Sequence, residues 1–173
     1  CRLYETDFEA QALEMLKKRA DLIDKWQLLK YRAELGEKDE VIAILLGQLK
    51  DEDSSVRWRA ADALGKLGNS SETVINSLLP LLQDNDFIVR WRAADALGKL
   101  GNSSETVINS LLPLLQDENS DVPGRAADAL GKLGNSSNNI LPTIIQWIQQ
   151  HQDSEYVGRG IDALWYLVVG EEN

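Results

Sequence analysis

Apolar residues recur along this chain at helical spacing, and no stretch of useful length alternates with the period of two that marks a strand. From 72 to 83, Val74, Ile75, Leu78, Leu79 and Leu82 line one side of a helix. Asn69, Ser70 and Ser71 precede them, and Glu72 follows Asn69 by three, the order of a capping box. From 54 to 67, Val56, Ala60, Ala63, Leu64 and Leu67 form a second apolar stripe. Asp53 or Ser54 can cap its start, and Gly68 with Asn69 can adopt the left-handed conformation that stops it. The pattern predicts an all-α protein.

These two helices belong to a repeat. Val56–Asp84 and Val89–Asp117 are the same 29 residues, offset by 33. An altered third copy starts at Val122, and a fourth, one residue out of phase, carries Arg159, Asp162, Ala163, Leu164 and Leu167. Upstream, Val41–Asp51 matches the first-helix half of the unit. Self-similarity at this period marks a solenoid, because one hairpin cannot bury its stripe and a stack of hairpins can. Ala60, Ala61, Ala63 and Gly65 leave little side chain on the second helix, so neighbouring helices can approach closely. Identity this high implies recent duplication or deliberate engineering.

Residues 3–35 differ: they read as a long amphipathic helical stretch without Gly or Pro. Trp26, Leu35 and Gly36 align loosely with Trp58, Leu67 and Gly68. Residues 1–39 are therefore expected to be an N-terminal helical cap or degenerate repeat, and 40–173 the repeats, about four to five in all. A linker helix from a preceding domain is the alternative for the first segment.

Composition narrows the function. Hydrophobic residues make up 43% of the chain and charged ones 27%, which places it among soluble globular proteins. No apolar run is long enough to cross a bilayer and no signal peptide precedes the first helix, so no membrane partner is expected. A net charge of −10 argues against nucleic acid as a partner. The single cysteine, Cys1, excludes an internal disulfide and suits a cytoplasmic setting. A start on Cys1 in place of Met suggests a fragment of something longer.

The string from Asp51 to Gly68, D-x-D-x-x-V-R-x-x-A-A-x-A-L-G-x-L-G, repeated from Asp84 to Gly101, resembles the short bacterial HEAT repeat of the phycobilisome-lyase type. Pro80 and Pro113 within the first helix match that family's pattern as well. The resemblance covers about residues 41–168. It implies a right-handed α-solenoid of stacked helical hairpins whose second helices line the concave side. It also implies Asp–Arg links between successive repeats, to be made here by Asp53, Arg57, Asp86 and Arg90. In the third repeat Val122-Pro123-Gly124 replaces Val-Arg-Trp, so this ladder is expected to be interrupted there.

Catalytic chemistry is scarce. His151, the sole histidine, sits among glutamines beside a polar turn and reads as a solvated residue. One Cys and one His cannot build the usual zinc sites, and Gly98–Gly101 lacks the order of a phosphate-binding loop. The Asn-Ser-Ser triplets at Asn69, Asn102 and Asn135 formally match glycosylation acceptors but read better as helix boundaries. No cofactor, metal or catalytic residue is expected. Asp62, Asp95, Asp128 and Asp162 recur on second helices through the duplication, and read as a solvated or Arg/Lys-paired face more than as a ligand-contacting one.

One constellation remains. Trp58, Asp62 and Gly65 lie opposite the apolar stripe at spacing 0, 4, 7, and Trp91, Asp95 and Gly98 repeat them. With Arg59, Arg92, Lys66 and Lys99 beside them, the two rings have the composition of a binding hot spot. About 10 Å apart, they are expected to clasp a protein or peptide segment on the concave face. Flat packing of each ring on the neighbouring helix is the competing reading. Toward the C-terminus Gly124 and Gly158 replace the Trp, so the groove should fade unless Trp165 restores it.

The expected function is a protein-interaction or ligand-sensing scaffold, part of a larger signalling protein. The resemblance supports that context, since such near-identical repeats follow nucleotide-binding switch domains in bacterial signalling NTPases. Two alternatives remain: a phycobilin lyase or isomerase acting on bilin attachment, which the same resemblance implies, and an engineered repeat scaffold.

Overall fold

The computed structural model describes residues 2–134 and 140–169. Helices account for 79% of the chain and no strand occurs among the described residues, as the apolar spacing predicts. The chain divides into two compact units, residues 1–47 and 48–173.

In the first unit the long helical stretch is broken. Helix α1 (Arg2–Lys18) gives way to a 3₁₀ turn at Ala20–Leu22 before α2 (Lys25–Glu34). The cause is Asp24, whose carboxylate accepts from the Trp26 and Gln27 amides and starts a new helix without any Gly or Pro. Gly36 ends α2 with a positive φ of 102°, the role that Gly68 and Gly101 play in the repeats. Glu37 ties the unit together, accepting from Lys17 on α1 and Arg32 on α2. Those two cations hold its carboxyl below the usual range. Helix α3 (Lys38–Gln48) follows, with Val41, Ile42 and Leu45 buried.

The second unit alternates short and longer helices. The longer, second helices are α4 (Ser54–Leu67), α6 (Phe87–Leu100), α8 (Asp121–Gly134) and α10 (Val157–Val169). They pack side by side in chain order, α4 on α6, α6 on α8, α8 on α10. The first helices are α5 (Glu72–Leu78), α7 (Glu105–Leu111) and α9 (Ile140–Gln150). Each lies against the second helix of its own repeat. After α5 and α7 the chain tightens into 3₁₀ turns, Leu79–Gln83 and Leu112–Gln116, each with a proline in its first positions. Proline has no amide hydrogen to continue the α-helical ladder, and the tighter turn accommodates that loss.

Helix boundaries follow the expected chemistry with one correction. Asp53 and Asp86 are the caps of α4 and α6, accepting from Ser55 and Ile88, and Gly68 and Gly101 close them in the left-handed region. The capping residues of α5 and α7 are Ser71 and Ser104, not Asn69 and Asn102. Each asparagine instead accepts from the amide two residues on, folding the approach to the cap. Asn135 lies outside the described residues.

The core is aliphatic. Leu64, Leu78, Leu97, Leu111, Leu115 and Leu130 are fully buried, and no polar or charged residue is buried among the described residues. Between second helices the contact is nearly backbone to backbone. A Cβ built on Gly65 would stand 2.9 Å from Ala96 Cα, and one on Gly98 2.8 Å from Ala129 Cα. Gly131 makes the same approach to Tyr166, whose Cβ would be 2.6 Å away, four residues further along the partner helix.

Candidate functional site

The row Trp58, Asp62, Gly65 does not face open solvent. It faces the next second helix, because each second helix in a stack has a neighbour on the side opposite its apolar stripe. Gly65 lies against Ala96. Asp62 accepts from Arg92 Nη1 at 3.1 Å across the repeats and from Lys66 at 2.7 Å within its own helix. Trp58 and Trp91 are half-buried.

The two rings do not form an open cleft. The Arg92 guanidinium stands between them, its Cζ 5.2 Å from the Trp58 ring centre and 3.9 Å from that of Trp91. Arg59 Cζ also lies 5.2 Å from the Trp58 ring centre, and Arg125 Cζ 5.3 Å from that of Trp91. Cations and rings thus alternate across three repeats in the order Arg59, Trp58, Arg92, Trp91, Arg125. Arg92 thus occupies the space in which the expected clasp would hold a partner segment. The glycines themselves meet alanines of the neighbouring helix, Gly65 against Ala96 and Gly98 against Ala129. Arg92 Nε is buried without an acceptor among the described residues, consistent with its place against the ring faces.

Beside this ladder runs a row of ion pairs within single helices: Lys66 with Asp62 at 2.7 Å, Lys99 with Asp95 at 2.7 Å, Lys132 with Asp128 at 2.9 Å. The recurring aspartates at 62, 95 and 128 are therefore paired, and Asp162 on α10 is exposed. Arg125 and Lys132 were missed as site members, although the 33-residue period from Arg59 and Lys66 points directly to them. Trp165 extends no aromatic groove: it is 61% exposed on α10, beside Tyr166, which occupies the contact with Gly131.

The links between repeats also use other partners than expected. Arg57 makes a two-pronged pair with Asp84, Nε–Oδ2 at 2.7 Å and Nη2–Oδ1 at 2.8 Å, and donates to the carbonyls of Asp51 and Glu52. Arg90 repeats this with Asp117 and the carbonyls of Asp84 and Asn85. Asp53 and Asp86 are occupied as caps, so the linking acids are Asp84 and Asp117. Burial alone would raise the carboxyls of Asp84 and Asp117. Hydrogen bonds from Arg57 and Arg90, and from the Asp86 and Asn119 amides, outweigh it and hold both below the usual range. Where Pro123 removes the third arginine, Arg159 reaches back and donates to the Asp117 and Leu115 carbonyls. Among the described residues no Arg–carboxylate pair repeats there, so the ladder is interrupted as expected, and Arg159 supplies only the donors to the turn carbonyls.

His151 is not a solvated loop residue. Its ring stacks on Trp147, centroids 4.3 Å apart, and contacts Gln116 Nε2 at 2.7 Å and the Trp147 carbonyl at 2.8 Å. Both ring nitrogens are thereby engaged in structure. In the first unit a cavity of about 510 Å³ is lined by Ala12, Met15, Leu16, Ile23, Tyr31 and Leu35 with Arg19 and Glu34. No histidine, cysteine or serine lines it. Among the described residues no group of three His, Cys, Asp or Glu side chains could hold a metal ion. No described helix is long and apolar enough to cross a membrane.

The family model for HEAT repeats matches residues 9–98 and 69–122. This chain belongs to the HEAT-repeat family. The match begins inside α1, so the N-terminal helices are included in it. Among solved structures, the complex of CpcE and CpcF of phycocyanin lyase from Nostoc sp. PCC7120 is similar at 28% identity and a TM-score of 0.59. That likeness covers 83% of this HEAT chain and 57% of the other. Two engineered proteins are similar in fold, at 22% and 24% identity and TM-scores of 0.57 each. They cover 84% and 83% of this chain and 68% and 69% of theirs. No curated protein sequence matches.

Proposed function

We propose that this HEAT-repeat scaffold is a non-catalytic binding protein that holds a protein or peptide partner across the second helices of its repeats. The observation that carries this reading is the ladder of alternating Arg and Trp. Trp and Arg dominate the energetics of protein interfaces, and rings each held by two guanidinium groups lose little freedom on binding. A partner would lie across the ladder's outer edge, not between the rings, meeting ring edges and the ends of Arg59, Arg92 and Arg125. The similar structure from Nostoc, itself a complex of two proteins, supports a protein partner. The cytoplasm, and a place within a larger signalling protein, belong to the same proposal.

The test is affinity capture from the source cell with the parent chain and with an Arg59→Glu, Arg125→Glu variant. Both arginines are exposed, so the variant should stay folded, with a melting temperature lowered only by the loss of their contacts with the rings. A partner bound by the parent and lost by the variant is expected. Equal retention by the two chains would remove the ladder as the site.

The likeness to a lyase complex keeps a second reading, action on bilin attachment. Visible absorbance retained by the protein after incubation with a bilin, and separation from free pigment, would favour it.

A further inference from the structure

The outer face of α4, α6 and α8 has the opposite sign to the chain's net charge. Six cations stand on α4, α6 and α8 at matched positions: Arg59, Arg92 and Arg125 in one row, Lys66, Lys99 and Lys132 in another. Only Asp62, Asp95 and Asp128 lie among them, on a chain of net charge −10. The carboxylates are drawn inward, with 14%, 11% and 21% of their side chains exposed, against 67%, 37% and 34% for the lysines that hold them. Each carboxylate is already engaged, so what a partner meets first is ammonium and guanidinium. Acidic side chains such as Asp51, Glu52, Glu72, Glu105 and Glu118 are exposed on the turns and first helices instead. This segregation steers an approaching anionic segment toward one face and repels it from the others.

We infer that the partner segment is an acidic peptide, running along the stack across α4, α6 and α8; this rests on the binding role proposed above. The spacing sets its pattern. Adjacent second helices pack at about 10 Å. An extended chain covers that distance in about three residues and a helix in about seven. Carboxylates every third residue of a polyproline II segment, which turns once in three residues, or every seventh of a helix, would meet successive Arg–Lys pairs, with apolar residues between them on the Trp edges.

A selection of random 12-residue peptides on the full chain tests this, with a labelled twelve-residue oligothymidylate as a second probe. The retained peptides should be enriched in Asp and Glu, and their affinity should fall at least tenfold from low to high salt, since exposed charges are screened. Neutralising Arg59, Lys66 and Arg125 to Gln, with helix content unchanged, should weaken them about tenfold. Neutral or basic peptides that the same variant releases would overturn the acidic partner while leaving the binding face intact. Peptides indifferent to the variant, or none retained at all, would remove both readings. Oligothymidylate bound more tightly than any peptide would replace the acidic peptide with single-stranded nucleic acid, for which a basic face with aromatic rings is the other known use.

Discussion

At the scale of single residues, the arginine that links repeats is the most sharply specified group in the protein. Arg57 and Arg90 each satisfy a carboxylate and two turn carbonyls that lie far apart in sequence. Hydrogen bonds to charged groups contribute about 1.5–3 kcal/mol each way of counting a single pair, more than exposed ion pairs do. Asp84→Asn should therefore lower unfolding free energy at neutral pH by about 2 kcal/mol, read from urea denaturation. The pH dependence has a fixed sign. Asp84 and Asp117 titrate below their ordinary value of 3.8 when folded, so their contribution is complete above that value. It is lost as the pH falls through the depressed folded-state values. The parent should lose stability on acidification below about pH 4, and the gap between parent and Asp84→Asn should close there. A gap that stays constant down to pH 2 would show that the pair contributes nothing through ionisation. The family resemblance pointed to Asp53 and Asp86, and a helix cap looks the same as a free acid until the fold is known.

At the scale of elements, glycine decides how closely second helices approach, and two glycines in similar helices should respond oppositely. Gly98 has no room: a Cβ there would stand 2.8 Å from Ala129 Cα, so backbone must move. Gly98→Val should destabilise by about 2 kcal/mol, the usual range for overpacking a close contact. Gly124, also within a helix, has nothing within 4 Å of its would-be Cβ. Gly124→Ala should raise stability by about 0.5–1 kcal/mol, since alanine gives up less backbone freedom to the helix. Thermal denaturation of the two variants reads both signs, and a neutral Gly98→Val would mean the helices are looser than the contact implies. Helix existence was plain from the apolar stripes. The meaning of the opposite row was not, because glycine and alanine carry no apolar signal in a pattern while they allow the tightest packing in the molecule.

At the scale of the whole molecule, the repeats make the second unit an array in which each hairpin answers mainly to its neighbours. Removing Val56–Ile88 deletes one 33-residue period and places Arg90 within the turn that Arg57 occupied, beside the carbonyls of Asp51 and Glu52. The product should remain folded with unchanged helix content per residue by circular dichroism and a lower melting temperature. An aggregated or unfolded product would count against nearest-neighbour behaviour. The sequence by itself determined the all-α class, the 33-residue hairpin period and the glycine stops, and narrowed the α4 cap to Asp53 or Ser54, all of which depend on local residue patterns. It also marked Trp58, Trp91 and their cations as the unusual surface of the protein. Only the tertiary structure decided that Arg92 fills the space between the rings, that Asp84 and Asp117 are the linking acids, and that Arg159 donates to the turn carbonyls where Pro123 removes an arginine. Those outcomes depend on which side chains the stack brings together across 27 to 44 residues of chain. A periodic pattern states that neighbours exist but not which of their side chains meet.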